Sequence, residues 1–155
     1  MTPHFWQTIL SDALWSALAA LGFAVLFNVP VRTLPACVFT GALGHAVRTA
    51  LTQNGIGIEA ATLLAALLVG FLGEIGAHVW HTPTTTFTVS GAIPMVPGSY
   101  AFRTMMNLIY LAEGSKGLPS IAITLIAVNG IKTALILAAL ALGISLPRFL
   151  FRRRG

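Results

Sequence analysis

A proline-rich interruption lies in the middle of an otherwise apolar chain, in the stretch from Thr84 to Arg103. Pro94 and Pro97 stand three residues apart, and Gly98 follows directly. Each proline removes a backbone donor and clashes with the carbonyl four residues earlier, so an unbroken helix cannot pass through this point. In a bilayer the freed backbone groups need partners in protein or in a wet cavity, and a break at membrane depth therefore indicates a site.

The residues that follow the break have the chemistry of an anion site. A helix that restarts at Ser99 points its free N–H groups, and the positive end of its dipole, toward the break. Tyr100 and Arg103 share a face one turn later, and an arginine can bind a carboxylate through two hydrogen bonds. The alternative is a simple kink in which Arg103 pairs with Glu74. The predicted substrate-binding residues are Pro94, Pro97, Gly98, Ser99, Tyr100 and Arg103.

Four other ionisable residues fall within apolar segments and are candidates for coupling or charge pairing: Glu74, Lys132, His45 and Arg48. Glu74 lies on a stripe of small residues, so it is expected to face protein and to pair with Arg103 or Lys132, or else to be solvated at the end of its segment. Lys132 is near mid-segment and needs a partner. His45 and Arg48 face a pathway together, or Arg48 snorkels to the headgroups while His45 bonds a backbone carbonyl.

Composition places these residues in a membrane protein. The 155-residue chain is 56% hydrophobic and only 8% charged, whereas soluble domains carry about a quarter charged residues. The net charge of +5 owes much to Arg148 and Arg152–Arg154, a cluster typical of a cytoplasmic membrane flank rather than of a nucleic-acid site. We therefore predict one polytopic domain over residues 1–155, with a basic cytoplasmic tail at 148–155.

The apolar segments predict an all-α protein with about five transmembrane helices, the fourth broken at Pro94–Gly98. Because the second segment has only some 17 residues, four spans plus one short or re-entrant segment is the alternative. In the first segment, Asp12 is expected near the interface, and Pro147 is expected to end the last helix. With five spans and a cytoplasmic C-terminus, Arg32 lies inside and Lys116 and the N-terminus lie outside. The segments are Phe5–Asn28, Pro35–Leu51, Glu59–His78, Phe87–Leu111 and Ser120–Leu146.

Metal binding and enzymatic catalysis find little support in the sequence. His78 and His81 have the spacing of two metal ligands, but no thiol or carboxylate nearby supplies a third. No serine–histidine pair or pair of carboxylates recurs at catalytic spacing. We predict a protein that is not an enzyme and has no cofactor or metal.

Several motifs resemble the threonine/serine exporter superfamily, and the resemblance covers nearly the whole chain. The P-M-V-P-G element with the following Phe-Arg pair is its most specific part. The motifs are FNVPVRTL (27–34), GHAVR (44–48), GIE (57–59), HTPTTTFTVSGAIPMVPG (81–98) and Phe102-Arg103. Length and motif order are similar to those of the short split members, in which two proteins carry the two membrane halves.

The resemblance implies a bacterial inner-membrane location, a complementary larger subunit and export of a small carboxylate. For the split type it implies succinate or a similar dicarboxylate, and for fused relatives threonine and serine. Pro94, Pro97, Gly98 and Arg103 would form the functional element. We therefore predict the small subunit of a two-component exporter, with higher oligomers as a further possibility. The alternative is a non-transporting scaffold or assembly subunit for a partner transporter.

Overall fold

The computed structural model of the chain describes residues 3–113 and 119–152, and across these ranges it contains helices and no strand. The predicted all-α class is therefore confirmed. Two single 3₁₀ turns, Val31–Thr33 and Ile93–Met95, join neighbouring helices. The α-helices are α1 (Pro3–Leu26), α2 (Leu34–Gln53), α3 (Ile58–Trp80), α4 (Thr85–Ala92), α5 (Gly98–Ala112) and α6 (Pro119–Arg152).

Local sequence explains most helix ends. Pro35 occupies the first turn of α2, where its missing N–H would have no helical partner. Gly55, at φ +86°, turns the chain between α2 and α3 in a conformation that only glycine adopts freely. His81 caps α3 in the left-handed conformation, and Pro83 follows it. The helix therefore cannot continue into α4.

The first four helices pack as neighbours around small residues. α1 and α2 are antiparallel, because Gly41 lies against Ala20 while Thr49 further along α2 bonds Asp12. α4 packs antiparallel to α3, with Thr88 against Gly73. These glycines let the backbones approach closely, as in membrane helix pairs.

The final helix runs parallel to α3. Gly143 lies against Ala66, and one turn later Pro147 lies against Gly70. Near the end of α6, the ring of Phe151 lies 6.2 Å from the ring of Phe71 and 6.2 Å from that of His78, which is near the end of α3. Among the described helices, three are long and apolar enough to cross a membrane: α1, α3 and α6. The chain is thus an all-helical protein of membrane type, while a total of about five spans stays a prediction.

The prediction that Pro147 ends the last helix is wrong. α6 continues through Pro147 to Arg152. The proline is completely buried, and its ring lies over Gly70, where any side chain would collide with it. Packing against a glycine therefore offsets the loss of one hydrogen bond, the one that the Gly143 carbonyl would have accepted.

Helix α5 has the least protein around it. None of its residues is buried, and its packing is mainly against the first half of α6. Lys116 and the end of the basic tail, residues 153–155, lie outside the described residues.

Candidate functional site

The helix break occurs where the sequence predicts it. α4 ends at Ala92, a 3₁₀ turn covers Ile93–Met95, and α5 begins at Gly98. Val96 is extended, and the Gly98 N–H bonds only to the Val96 carbonyl. The carbonyls of Pro94 and Met95 therefore receive none of the helical hydrogen bonds that a continuous helix would supply.

Side chains of α2 reach the freed carbonyls. Arg48 Nη1 donates a 2.8 Å hydrogen bond to the Met95 carbonyl oxygen. The imidazole of His45, one turn earlier, faces the Pro94 carbonyl. Gly44 allows α2 to come this close to the break, since Met95 packs against it. A Cβ at position 44 would lie 2.5 Å from Val69 Cγ2. Arg48 thus points into the bundle toward the break instead of snorkelling to the headgroups.

A carboxylate from α1 completes this polar layer. Asp12 Oδ2 accepts a 2.6 Å hydrogen bond from the Thr49 hydroxyl and lies 3.7 Å from His45 Nδ1. The same carboxylate is within electrostatic range of Arg48. The sequence led us to expect Asp12 near the interface without a partner. In the structure Asp12 instead belongs to a cluster on two helices. Among the described residues, His45 and Asp12 are the only basic and acidic side chains within 4 Å of each other, and they form an ion pair when His45 is protonated.

Tyr100, in the first turn of α5, connects this cluster to α6. Its hydroxyl is within electrostatic range of Arg48. The Lys132 ammonium lies 5.5 Å from the centre of its ring, which is a cation–π distance. Tyr100 and Lys132 are both half-buried. Lys132 therefore has an aromatic ring as its neighbour, and not Glu74, the partner considered from the sequence.

The remaining predicted site residues divide into two groups. Pro94, Pro97, Gly98, Ser99 and Tyr100 form the break and the start of α5. Arg103 lies on an exposed part of α5, and within the described ranges no carboxylate lies within 4 Å of it. The structure thus brings Arg48 and Lys132 to Tyr100 but does not bring Arg103 to them.

Glu74 is separate from this site. It is 7% exposed, and its Oε1 atom makes no hydrogen bond. Its neighbours on α3 are Gly73, which packs on α4, and Gly70, which packs on Pro147. Lys132 precedes Pro147 by 15 residues, or about 22 Å of helix. The predicted pairing of Glu74 with Arg103 or Lys132 is therefore wrong.

Sequence reasoning missed two members of the cluster, Asp12 and Thr49. The available signal was the apolar setting of Asp12, since a carboxylate in such a segment usually has a protein partner. Thr49 gave no comparable signal, because a threonine in a membrane helix usually bonds its own backbone.

The cluster joins two cations, a histidine and a carboxylate at one end of a broken helix. Arg48 and Lys132 exceed the single charge of Asp12, so the layer favours an anion. The Ser99 and Tyr100 N–H groups at the start of α5 donate to no backbone carbonyl of the described residues, so they add donors that also favour an anion. In the described ranges, no group of three or more His, Cys, Asp and Glu side chains could hold a metal ion.

A helical membrane protein with a discontinuous helix over a polar cluster has the architecture of a secondary transporter. Residues 12–150 match the family model described as Threonine/Serine exporter, ThrE. The chain therefore belongs to the threonine/serine exporter family, which is a family of transporters and not of enzymes. No solved structure matches the chain.

Proposed function

We propose that this chain is the small subunit of a two-component inner-membrane exporter of small carboxylates. The observation that carries the proposal is the polar layer at the break, where Arg48 and Lys132 share Tyr100 as a neighbour. A carboxylate at this point would meet two cations and the N-terminus of α5. Succinate or a similar dicarboxylate can engage both cations, whereas threonine or serine would place its ammonium group near Asp12.

Helix directions support a five-span arrangement. α2 runs opposite to α1, and α4 continues through the break into α5, so these two units supply the second and fourth crossings. The loop at Arg32 and the end of α6 near Arg148 then lie on the same side as the end of α3. By the positive-inside rule this side is cytoplasmic, which places the C-terminus inside and the N-terminus outside.

A partner subunit is supported by the exposure of α5. An apolar groove of about 340 Å³ between α5 and α6, lined among others by Ala101, Gly130 and Leu137, is open in this chain. α6 itself has 34 residues and is about 51 Å long, well beyond the 30 Å hydrocarbon core. The complementary larger subunit of the family would cover part of this hairpin, and higher oligomers would extend the same contacts.

Labelled succinate and threonine efflux from cells lacking their own exporters tests the proposal. The cells carry this chain alone, this chain with the complementary half, or the pair with Arg48→Gln or Arg103→Gln. We expect efflux of one solute from the pair only, lost with Arg48→Gln and kept with Arg103→Gln at equal membrane abundance. The absence of efflux of both solutes from the pair would contradict the proposed substrates, and efflux unaffected by Arg48→Gln would contradict the site.

One observation favours a second candidate function, a non-transporting scaffold. Arg48 donates to a backbone carbonyl, and a bond of this kind also serves to hold the break together. In that case Arg48→Gln would reduce the abundance of the complex, and efflux per complex would not change. Lys132→Met separates the candidates further, because the Lys132 ammonium lies over the Tyr100 ring and does not hold a carbonyl of the break.

A further inference from the structure

His45 has an unusual position in the polar layer. Its Nδ1 atom is buried and makes no hydrogen bond, and the Asp12 Oδ2 atom lies 3.7 Å away. That oxygen is already bonded to Thr49, so the carboxylate cannot swing freely toward the ring. A buried nitrogen without a partner is normally costly. A proton on Nδ1 would give it a carboxylate to face.

The groups that surround the His45 imidazole come from every element packed near it. α1 supplies Asp12, and α2 itself supplies Arg48 one turn away. The break supplies the Pro94 carbonyl, which faces the ring. Beyond Arg48 lie Tyr100 on α5 and Lys132 on α6. α3 presents the apolar Val69 beside Gly44, next to His45 in the chain.

We propose that the His45–Asp12 pair is the proton-binding site of the transport cycle, placed so that its proton adds a positive charge to the anion site formed by Arg48 and Lys132. This inference rests on the proposed function, because it assigns the proton of the same site. Histidine is the side chain that ordinarily changes charge between about pH 5 and 8.

The charge of the layer gives the coupling a direction. With His45 neutral, Arg48, Lys132 and Asp12 sum to +1, and with His45 protonated they sum to +2. An anionic substrate therefore binds more tightly to the protonated layer, and an anion leaves the cell together with a proton. One linked proton changes the affinity by at most about tenfold per pH unit.

Exchange of labelled for unlabelled substrate in inverted membrane vesicles carrying the pair of subunits tests the proposal. Without an imposed gradient, the half-saturating concentration is measured between about pH 5.5 and 8, with succinate and with threonine as probes. Wild type is expected to need up to about tenfold more substrate per rising pH unit. His45→Gln should flatten this dependence. Asp12→Asn should also flatten it, at the tighter affinity of the protonated wild-type layer.

Two matched variants serve as controls. His78→Gln removes an exposed histidine at the end of α3, and Glu74→Gln removes a buried carboxylate away from the polar layer. Both should keep the wild-type profile, and any titration of the substrate's own carboxyl groups appears equally in all variants. The proposal is overturned if His45→Gln keeps the pH dependence, or if Glu74→Gln removes it.

A second measurement does not require transport. In the purified complex, selectively ¹⁵N-labelled histidine gives imidazole signals, and the His45 signal is the one absent from His45→Gln. We expect this signal to titrate between about pH 5 and 8 and its midpoint to fall in Asp12→Asn, which loses the neighbouring negative charge. A His45 signal that does not titrate would overturn the proposal. Failure of exchange in wild type alongside a normal titration would instead count against the proposed substrates.

Discussion

The Arg48 guanidinium and the Met95 carbonyl are joined by a 2.8 Å hydrogen bond across 47 residues of sequence. This bond ties α2 to the break between α4 and α5. A guanidinium keeps further N–H groups when one is used in this way. Arg48 can therefore hold the break and bind a carboxylate at the same time.

The first prediction concerns the strength of this tie. Arg48→Gln should lower the free energy of unfolding by about 1.5–3 kcal/mol, the range for a lost hydrogen bond to a charged group. Arg103→Gln changes an exposed arginine of the same chain and should alter it by less than about 0.5 kcal/mol. Thermal unfolding of the purified complex in detergent measures both. Equal losses for the two variants would contradict the different roles assigned to them.

Lys132 provides the second prediction. Lys132→Met removes the cation but keeps most of the length of the side chain, and we expect efflux to fall about tenfold or more, as for a lost charge-assisted contact. Lys132→Arg keeps the charge over the Tyr100 ring and should retain most of the efflux. Efflux is measured at matched membrane abundance. Loss of efflux in the arginine variant with retention in the methionine variant would show that charge is not what this position supplies.

A third prediction tests the contact between α3 and α6. A Cβ at Gly143 would lie 2.5 Å from the Ala66 Cβ and 2.9 Å from the Leu63 carbonyl oxygen, and the backbone cannot give way. Gly143→Ala should therefore destabilise the protein by about 1–3 kcal/mol. Gly22→Ala in α1 has open space around it and is the matched control. A midpoint of unfolding that is equally unchanged in both variants would refute the close packing of these helices.

The proposed topology gives a fourth prediction. Cys37 is the single cysteine and is buried, so it contributes little background to labelling with an impermeant maleimide. Asn54→Cys should react in intact cells, because the α2–α3 turn lies outside. Val31→Cys, 81% exposed in the α1–α2 turn, should react only in inverted vesicles. Reaction of both positions from the same side would eliminate the crossing by α2.

Helix positions could be predicted from the sequence because local residues determine them. Pro94 and Pro97 leave no helical alternative, and the apolar segments between turns give the remaining helices. The same local rule failed at Pro147, since the fate of that proline depends on Gly70, which is 77 residues earlier in the chain. A buried proline against a glycine is a tertiary feature that the residues around Pro147 do not report.

The composition of the site could be predicted only in part. Ser99 and Tyr100 follow the break in sequence, so their placement required no tertiary information. The sequence favoured Arg103 for the substrate site because it follows the break directly, and it offered Arg48 only for coupling or charge pairing. The choice between them depends on which helix faces the break, and that helix is α2, which carries Arg48. Asp12 and Thr49 join the site because they meet across the antiparallel α1–α2 pair, and which residues of the two helices meet is a tertiary feature.

The depth of Arg48 has an electrical consequence. It lies 14 residues, or about 21 Å, from the start of α2 and five residues, or about 8 Å, from its end. In the proposed orientation an anion that reaches it from the cytoplasm has crossed about two-thirds of the membrane potential. At about 100 mV, negative inside, this assists each unit of negative charge by roughly 1.5 kcal/mol. Most of the voltage sensitivity of export would therefore lie in the step that brings the substrate from the cytoplasm to Arg48, and little in its release to the outside.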